Sequence, residues 1–327
     1  MNPNLFTASP ILQPRRRLVI AAALALALPA GTVRAQAGAK LSELRIGFQK
    51  YSTLTLMKTH GDLDKRLAAQ GTTVKWIEFP GGPQMLEALN VGSIDFGNVG
   101  EAPPIFAQAA GADLVYVANE PPSPTAEAVV VRKDSPLKSV AELKGHRVAL
   151  NKGSNVHFLF VKLMEKAGLK LNDIEVIFLP PADARAAFER GSVDAWVIWD
   201  PFFAAIQKQT GARALADGSG LVSNHIFYVA TRKFAEAYPQ AVATVIEDIA
   251  RVGSWATQDP KEVASVIAPL IGLEHSIVEL SVKRYAYGVK PMTVAALAEQ
   301  QRIADVFHGL GLIPKPIRTA DAVARAR

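Results

Sequence analysis

Cysteine is absent from all 327 residues. That excludes a disulfide framework, a thiol nucleophile and a lipid anchor carried on an N-terminal Cys, and it leaves core burial as the source of stability. Histidine is sparse. Its six positions (60, 146, 157, 225, 275 and 308) are scattered without the spacing of zinc ligands. No G-x-S-x-G elbow, G-x-x-x-x-G-K-S/T loop, H-E-x-x-H helix or G-x-G-x-x-G fingerprint occurs, and calcium and haem signatures are missing too. These absences argue against hydrolase, kinase and metalloenzyme readings, and no metal or cofactor is expected.

A long hydrophobic run is also lacking. Arg15-Arg16-Arg17 precedes Leu18 to Ala30, thirteen residues almost entirely Ala, Leu, Val and Ile, and Ala35-Gln36-Ala37 follows. Thirteen apolar residues fall short of the roughly 20 that span a bilayer. A basic start, a short apolar run and an A-x-A end predict a secretory signal peptide over residues 1–37, and hence a periplasmic location. Arg-Arg-Arg-Leu-Val carries part of a twin-arginine pattern. Acidic residues are missing from positions 1–35, which hold four Arg. Taking those four from the 36 basic residues leaves 32 against 30 acids, a net charge of +2 instead of +6. With no Lys/Arg stripe left, nucleic acid is not an expected partner.

From Leu44 short apolar runs alternate with helical stretches. Strands are predicted at Leu44–Phe48, Val74–Phe79, Ile94–Val99 and Leu114–Ala118, and helices at Leu54–Gln70, at Met85–Val91 and from Pro103. The alternation restarts at Arg147, with strands at Ile174–Leu179, Ala195–Trp199 and Ile226–Ala230. Beyond Arg232 the segments near 239–257, 260–271, 275–286 and 293–308 read as helices. Such βα order predicts parallel sheets covered by helices. A weak repeat links the two blocks. Leu89-Asn90-Val91-Gly92-Ser93-Ile94-Asp95 resembles Phe188-Glu189-Arg190-Gly191-Ser192-Val193-Asp194 at an offset of 99, which also places Glu101 on Asp200. Two similar α/β lobes are therefore expected.

Ligands of open α/β sheets bind at the carboxyl ends of strands. The loops expected there carry Gln49, Ser52, Thr53, Gly82, Gln84, Gly100 and Glu101 from the first lobe, and Gly153, Ser154, Asn155, His157, Trp199 and Asp200 from the second. Arg147 to Phe160 is the central stretch, in which a strand breaks at Gly153-Ser154 and re-emerges as a helix. The same pattern marks an ordinary capped helix, but a helix start also presents free N–H groups and a positive dipole end to an anion. Neutral donors without Arg forks suit a weakly basic, permanently ionised anion. Glu101 and Asp200 stand either as helix caps, as tuners of ligand charge, or as an acid/base pair in an exported enzyme. Trp196 and Trp199 alternate along one strand, which sends one to the core and makes Trp199 the candidate cleft wall.

Three stretches of the first half carry a family resemblance: Ile46 to Lys50, Glu78-Phe79-Pro80-Gly81-Gly82-Pro83-Gln84 and Leu89 to Asp95. Pro103 to Asp113, still in the first half, and Pro181 to Phe188 and Asp194-Ala195-Trp196-Val197-Ile198-Trp199-Asp200-Pro201 in the second carry it too. Together they resemble the aliphatic-sulfonate-binding proteins of ABC importers, from about Leu41 to Arg318. The resemblance implies a type II periplasmic binding fold: two lobes joined by a two-strand hinge with crossings near 130 and 230, the ligand in the cleft, and the C-terminal helices returning to the first lobe. It thereby implies lobe 1 over 38–130 plus 231–327 and lobe 2 over 131–230. It implies a receptor for aliphatic or aryl sulfonates that passes them to a membrane permease and an ATPase for sulfur supply. Taurine, nitrate and organic sulfate esters are the alternative ligands. A desulfinase on a similar fold uses a Cys nucleophile, which this chain lacks. The receptor is expected to act as a monomer.

Overall fold

The computed structural model describes residues 40–323, so the expected signal peptide lies outside the described residues. In the first half, β1 (Glu43–Gln49) leads into α1 (Thr53–His60) and α2 (Asp62–Ala68). Then β2 (Thr73–Phe79) leads into α3 (Gly82–Asn90), β3 (Phe96–Val99) into α4 (Pro103–Ala109), and β4 (Leu114–Asn119) follows. In the second half β5 (Glu127–Val131) precedes three further βα pairs: β6 (Arg147–Leu150) with α5 (Asn155–Lys166), β7 (Glu175–Phe178) with α6 (Pro181–Glu189), and β8 (Ala195–Trp199) with α7 (Phe202–Thr210). The chain continues through β9 (Arg213–Asp217), β10 (Phe227–Thr231), α8 (Arg232–Ala237), α9 (Pro239–Gln258), α10 (Pro260–Ile271), α11 (His275–Arg284), β11 (Lys290–Pro291) and α12 (Val294–Gly309).

Two mixed sheets result, ordered β11-β4-β10-β3-β1-β2 and β7-β6-β8-β5-β9. Strand β1 pairs parallel with β2 and β3, and β6 pairs parallel with β7 and β8. In each sheet one strand then runs antiparallel to two neighbours: β10 against β3 and β4, β5 against β8 and β9. These two strands correct the expected boundaries. Residues 127–130 were expected in the first lobe, but β5 pairs in the second sheet, whereas residues 227–230 were expected in the second lobe, but β10 pairs in the first. The chain thus crosses between sheets at 120–126 and 218–226. An all-buried strand such as β5, Glu-Ala-Val-Val-Val, has no exposed face whose pattern names its sheet.

The internal repeat is visible as matched bonding. Asp95 Oδ2 accepts the Arg45 N–H at 2.9 Å, and Asp194 Oδ2 accepts the Arg147 N–H at 2.8 Å. Each arginine also reaches the carbonyl of the turn glycine, Gly92 or Gly191, whose φ of 71° or 73° favours that residue. The predicted helix over 54–70 divides at Gly61, which adopts φ 67° and donates to the Met57 carbonyl.

Four apolar clusters among the described residues hold the sheets and helices. On the first sheet Leu44, Ile46 and Phe48 pack with Leu54 and Met57 of α1 and with Val245, Ile249, Val263 and Ile267 of α9 and α10. Met85, Leu86, Leu89 and Val99 form a second layer there. The second sheet's core joins Val148, Val197 and Trp196 to Phe158, Leu159 and Phe160, and it also takes in Ile105 of α4 and Ile303, Ala304 and Phe307 of α12. Ile277 of α11 packs on Ala204 and Ala205 of α7. The C-terminal helices are therefore shared, with α9 and α10 on the first sheet and α11 and α12 reaching the second. An apolar helix face shows that it is buried, not against which sheet.

Candidate functional site

A cavity lies between the two sheets, where the carboxyl ends of β1, β3 and β8 meet α1, α3 and α5. It offers about 40 Å³ to the centres of water-sized spheres, room for a small head group or about three waters. Thr53, Gly82 and Asn155 line it, and each is the first residue of its helix, α1, α3 or α5. The local sequence explains these starts. Ser52 is extended and its side chain accepts the Thr55 N–H, Gly81 is extended ahead of Gly82-Pro83, and Ser154 is extended ahead of Asn155. Three helix starts converging on one small space place three dipoles on it.

The remaining lining is neutral but for one acid. Gln49, Asn98, Asn224, Tyr51, Tyr285 and Tyr287 contribute polar groups, and Trp199, 7% exposed, forms an apolar wall. Gln49 Nε2 donates to the Asn98 carbonyl at 3.2 Å, while Asn98 Oδ1 has no partner. The Tyr51 and Tyr287 hydroxyls meet at 2.6 Å, and Tyr285 donates to the Asp200 carbonyl at 2.9 Å. Asn155 Nδ2 donates to Asn224 Oδ1 at 3.1 Å and to Glu127 Oε2. Among the described residues no Lys or Arg lines the cavity. Glu120 does, and burial pushes its carboxyl up to about 7 against the donors Tyr228, Gly288 N–H and Thr53. Burial, and after it Glu101, raises the Glu127 carboxyl well above the ordinary range.

The expected site residues fall into two groups. Gln49, Gly82, Gly100, Asn155 and Trp199 line the cavity. Gln84 and Gly153 instead line a separate, larger groove of about 500 Å³, together with Phe106, Lys152 and Phe178. Ser154 is 1% exposed and spends its hydroxyl on the Asn151 carbonyl at 2.7 Å. His157 accepts the Gly153 N–H at 3.2 Å and lies among Phe106, Phe178 and Phe307, where burial lowers it to about 4, with a smaller effect from Lys152. Glu101 accepts the His225 N–H at 3.3 Å and burial pushes it up to about 8, with Glu299 adding to the shift. Asp200 caps α7 through the Ala204 N–H at 2.9 Å and pairs with Arg284 at 3.3 Å. Neither acid lines the cavity. Burial directed these polar side chains to satisfy helix ends and each other.

Sequence reasoning missed Glu120, Asn98, Asn224 and the three tyrosines. Tyr285 and Tyr287 arrive from beyond α11, far away in the chain. Glu120 and Asn224 sit in the two crossings, where no βα pattern singles them out.

Residues 67–263 match the model of the NMT1/THI5 like family, more than half of the chain. The chain belongs to this family. Among relatives, it is 44% identical over 303 residues to a protein of Escherichia coli (strain K12) named for binding aliphatic sulfonates, covering 92% of this chain and 94% of that protein. Among solved structures, the alkanesulfonate-binding protein SsuA from Xanthomonas axonopodis pv. citri bound to MOPS is 42% identical, with a TM-score of 0.84 over 88% of this chain and all of that one. The periplasmic aliphatic sulphonate binding protein SsuA from Escherichia coli is 43% identical, with a TM-score of 0.79 over 88% of this chain and 93% of that one. This member of the NMT1/THI5 like family thus has the two-lobed fold of periplasmic binding proteins.

Proposed function

We propose that this protein is a periplasmic solute receptor. It captures the head group of an aliphatic or aryl sulfonate between its lobes and delivers the solute, as a monomer, to the permease and ATPase of an ABC importer. The observation that carries this reading is the cavity: three helix starts and neutral donors converge on it, and among the described residues no cation lines it. A sulfonate is a weak base that never takes up a proton near neutrality, so it asks for N–H and O–H donors and not for an acid or base. The likeness to sulfonate-binding proteins over nine-tenths of the chain supports the same class. Among the described residues no helix is long and apolar enough to cross a membrane. A catalytic role loses its basis, because Glu101 and Asp200 are each buried with other partners and neither lines the cavity.

Thermal unfolding with ethanesulfonate, taurine, nitrate, sulfate and a sulfate ester tests the reading, with a mass measurement of the recovered ligand alongside. Binding to the native state at a hundred times Kd adds about 2.7 kcal/mol. A rise in Tm with sulfonates, with the ligand recovered unchanged, is expected. A rise with nitrate or a sulfate ester alone, or a consumed ligand, overturns it.

A further inference from the structure

Among the described residues Glu120 is the one acid lining the cavity. It follows β4 at the start of the first crossing, and its backbone is held on both sides: its N–H donates to the Ile226 carbonyl at 2.8 Å, and its carbonyl accepts Asn119 Nδ2 at 3.0 Å. The side chain is 2% exposed. Oε1 accepts from the Tyr228 hydroxyl at 2.7 Å and from Thr53 Oγ1 at 3.4 Å, whereas Oε2 is buried and makes no hydrogen bond of ordinary geometry, the Gly288 N–H acting on the carboxyl without closing one. Two states of this group make opposite demands. As a carboxylate it sets a second negative charge beside a sulfonate, in a space where no cation offsets it. As a carboxylic acid it turns the unpartnered oxygen into an O–H donor of the kind that a sulfonate oxygen accepts.

We propose that Glu120 binds the solute as a neutral, proton-bearing donor, so that capturing a sulfonate keeps one proton on Glu120. This rests on the sulfonate reading above. Burial already pushes this carboxyl up to about 7, and a bound anion raises it further. The groups facing it are Tyr228 from β10, Thr53 from α1, and Gly288 N–H and Tyr287 from the segment after α11. The His225 ring contacts the Glu120 carbonyl through Nδ1 at 2.8 Å, while its Nε2 lies 3.6 Å from Glu299, so that any charge it takes is matched. Glu101, beyond His225, is pushed up to about 8 by burial and so carries little charge below that pH. No cation therefore stands against Glu120 to favour its ionised form.

The test is the affinity of the full mature chain for ethanesulfonate between pH 6 and 9, by calorimetry. The ligand keeps one charge throughout, so any slope belongs to the protein. Affinity is expected to be level near pH 6 and to fall about tenfold per unit above pH 7. At pH 8, titrations in phosphate and in Tris should differ by the uptake of close to one proton per ligand. Glu120→Gln carries a permanent N–H donor, and its affinity should lose the slope. If that variant does not fold, proton uptake by the wild type decides alone. A level wild-type profile without proton uptake overturns the proposal, as does a slope that persists in E120Q. Taurine that binds more tightly as pH rises also overturns it, since that makes Glu120 the partner of an ammonium. No sulfonate binding at any pH overturns the receptor reading itself, and this proposal with it.

Discussion

Glu101 and Asp200 occupy matching places after β3 and β8, yet they sit in opposite electrostatic surroundings. Asp200 has Arg284 at 3.3 Å from both oxygens, which pulls against the burial that raises it to about 6. Glu101 has no such cation, and burial takes it to about 8. The consequence for stability has a definite sign. The folded chain holds the Glu101 proton more tightly than the unfolded chain, whose carboxyl titrates near its ordinary 4.5. Stability from this site is thus fully present below 4.5 and is lost as pH rises through 8, by a few kcal/mol at most. Denaturant unfolding at pH 5, 7 and 9 should show the wild type losing more stability across that span than Glu101→Gln. Equal losses mean that Glu101 ionises at no cost in the fold. Because neither acid lines the cavity, neither is placed to tune ligand charge. That role passes to Glu120.

Elements repeat where residues do not. The Arg45–Asp95 and Arg147–Asp194 braces tie a strand to the turn of the following βα unit in each sheet, with the same backbone bond in both. Removing either aspartate leaves a half-buried N–H without its acceptor and an arginine without its partner. Asp95→Ala and Asp194→Ala should each cost about 1–3 kcal/mol. Because the braces belong to different sheets, the double variant should show the sum within about 0.5 kcal/mol, by urea unfolding. A clearly larger or smaller double effect joins the sheets into one folding unit. This repeat was legible in the sequence as Gly-Ser-Ile-Asp and Gly-Ser-Val-Asp, and so were nearly all strands and the four C-terminal helices, since period and punctuation are local signals. What was not legible is non-local. The exchange of β5 and β10 between sheets depends on pairing, and the tyrosines after α11 reach the cavity only through tertiary packing. Ser154 was readable as a helix start, but its short hydroxyl found a nearer acceptor in Asn151.

At the scale of the molecule, the question is how a solute enters a space this small. Two sheets linked by segments 120–126 and 218–226 can swing about those crossings. Gly100 of the first sheet and Asn155 of the second show how near the two sides come. A Cβ on Gly100 would lie 2.8 Å from Asn155 Cβ and 3.1 Å from its Cγ. Atoms that close must separate, and α5, anchored by Val156, Leu159 and Phe160 in its core, has little freedom to yield. Gly100→Val adds still more bulk at the contact, so it should favour the open arrangement without touching the core of either lobe. Apparent affinity scales with the fraction of molecules able to close. We predict that ethanesulfonate reduces the radius of gyration of the wild type in small-angle scattering. In Gly100→Val that reduction should be lost and binding weakened at least about tenfold, while the ligand-free Tm stays within a few degrees. A variant that contracts and binds like the wild type would show that the contact between Gly100 and Asn155 gives way without cost.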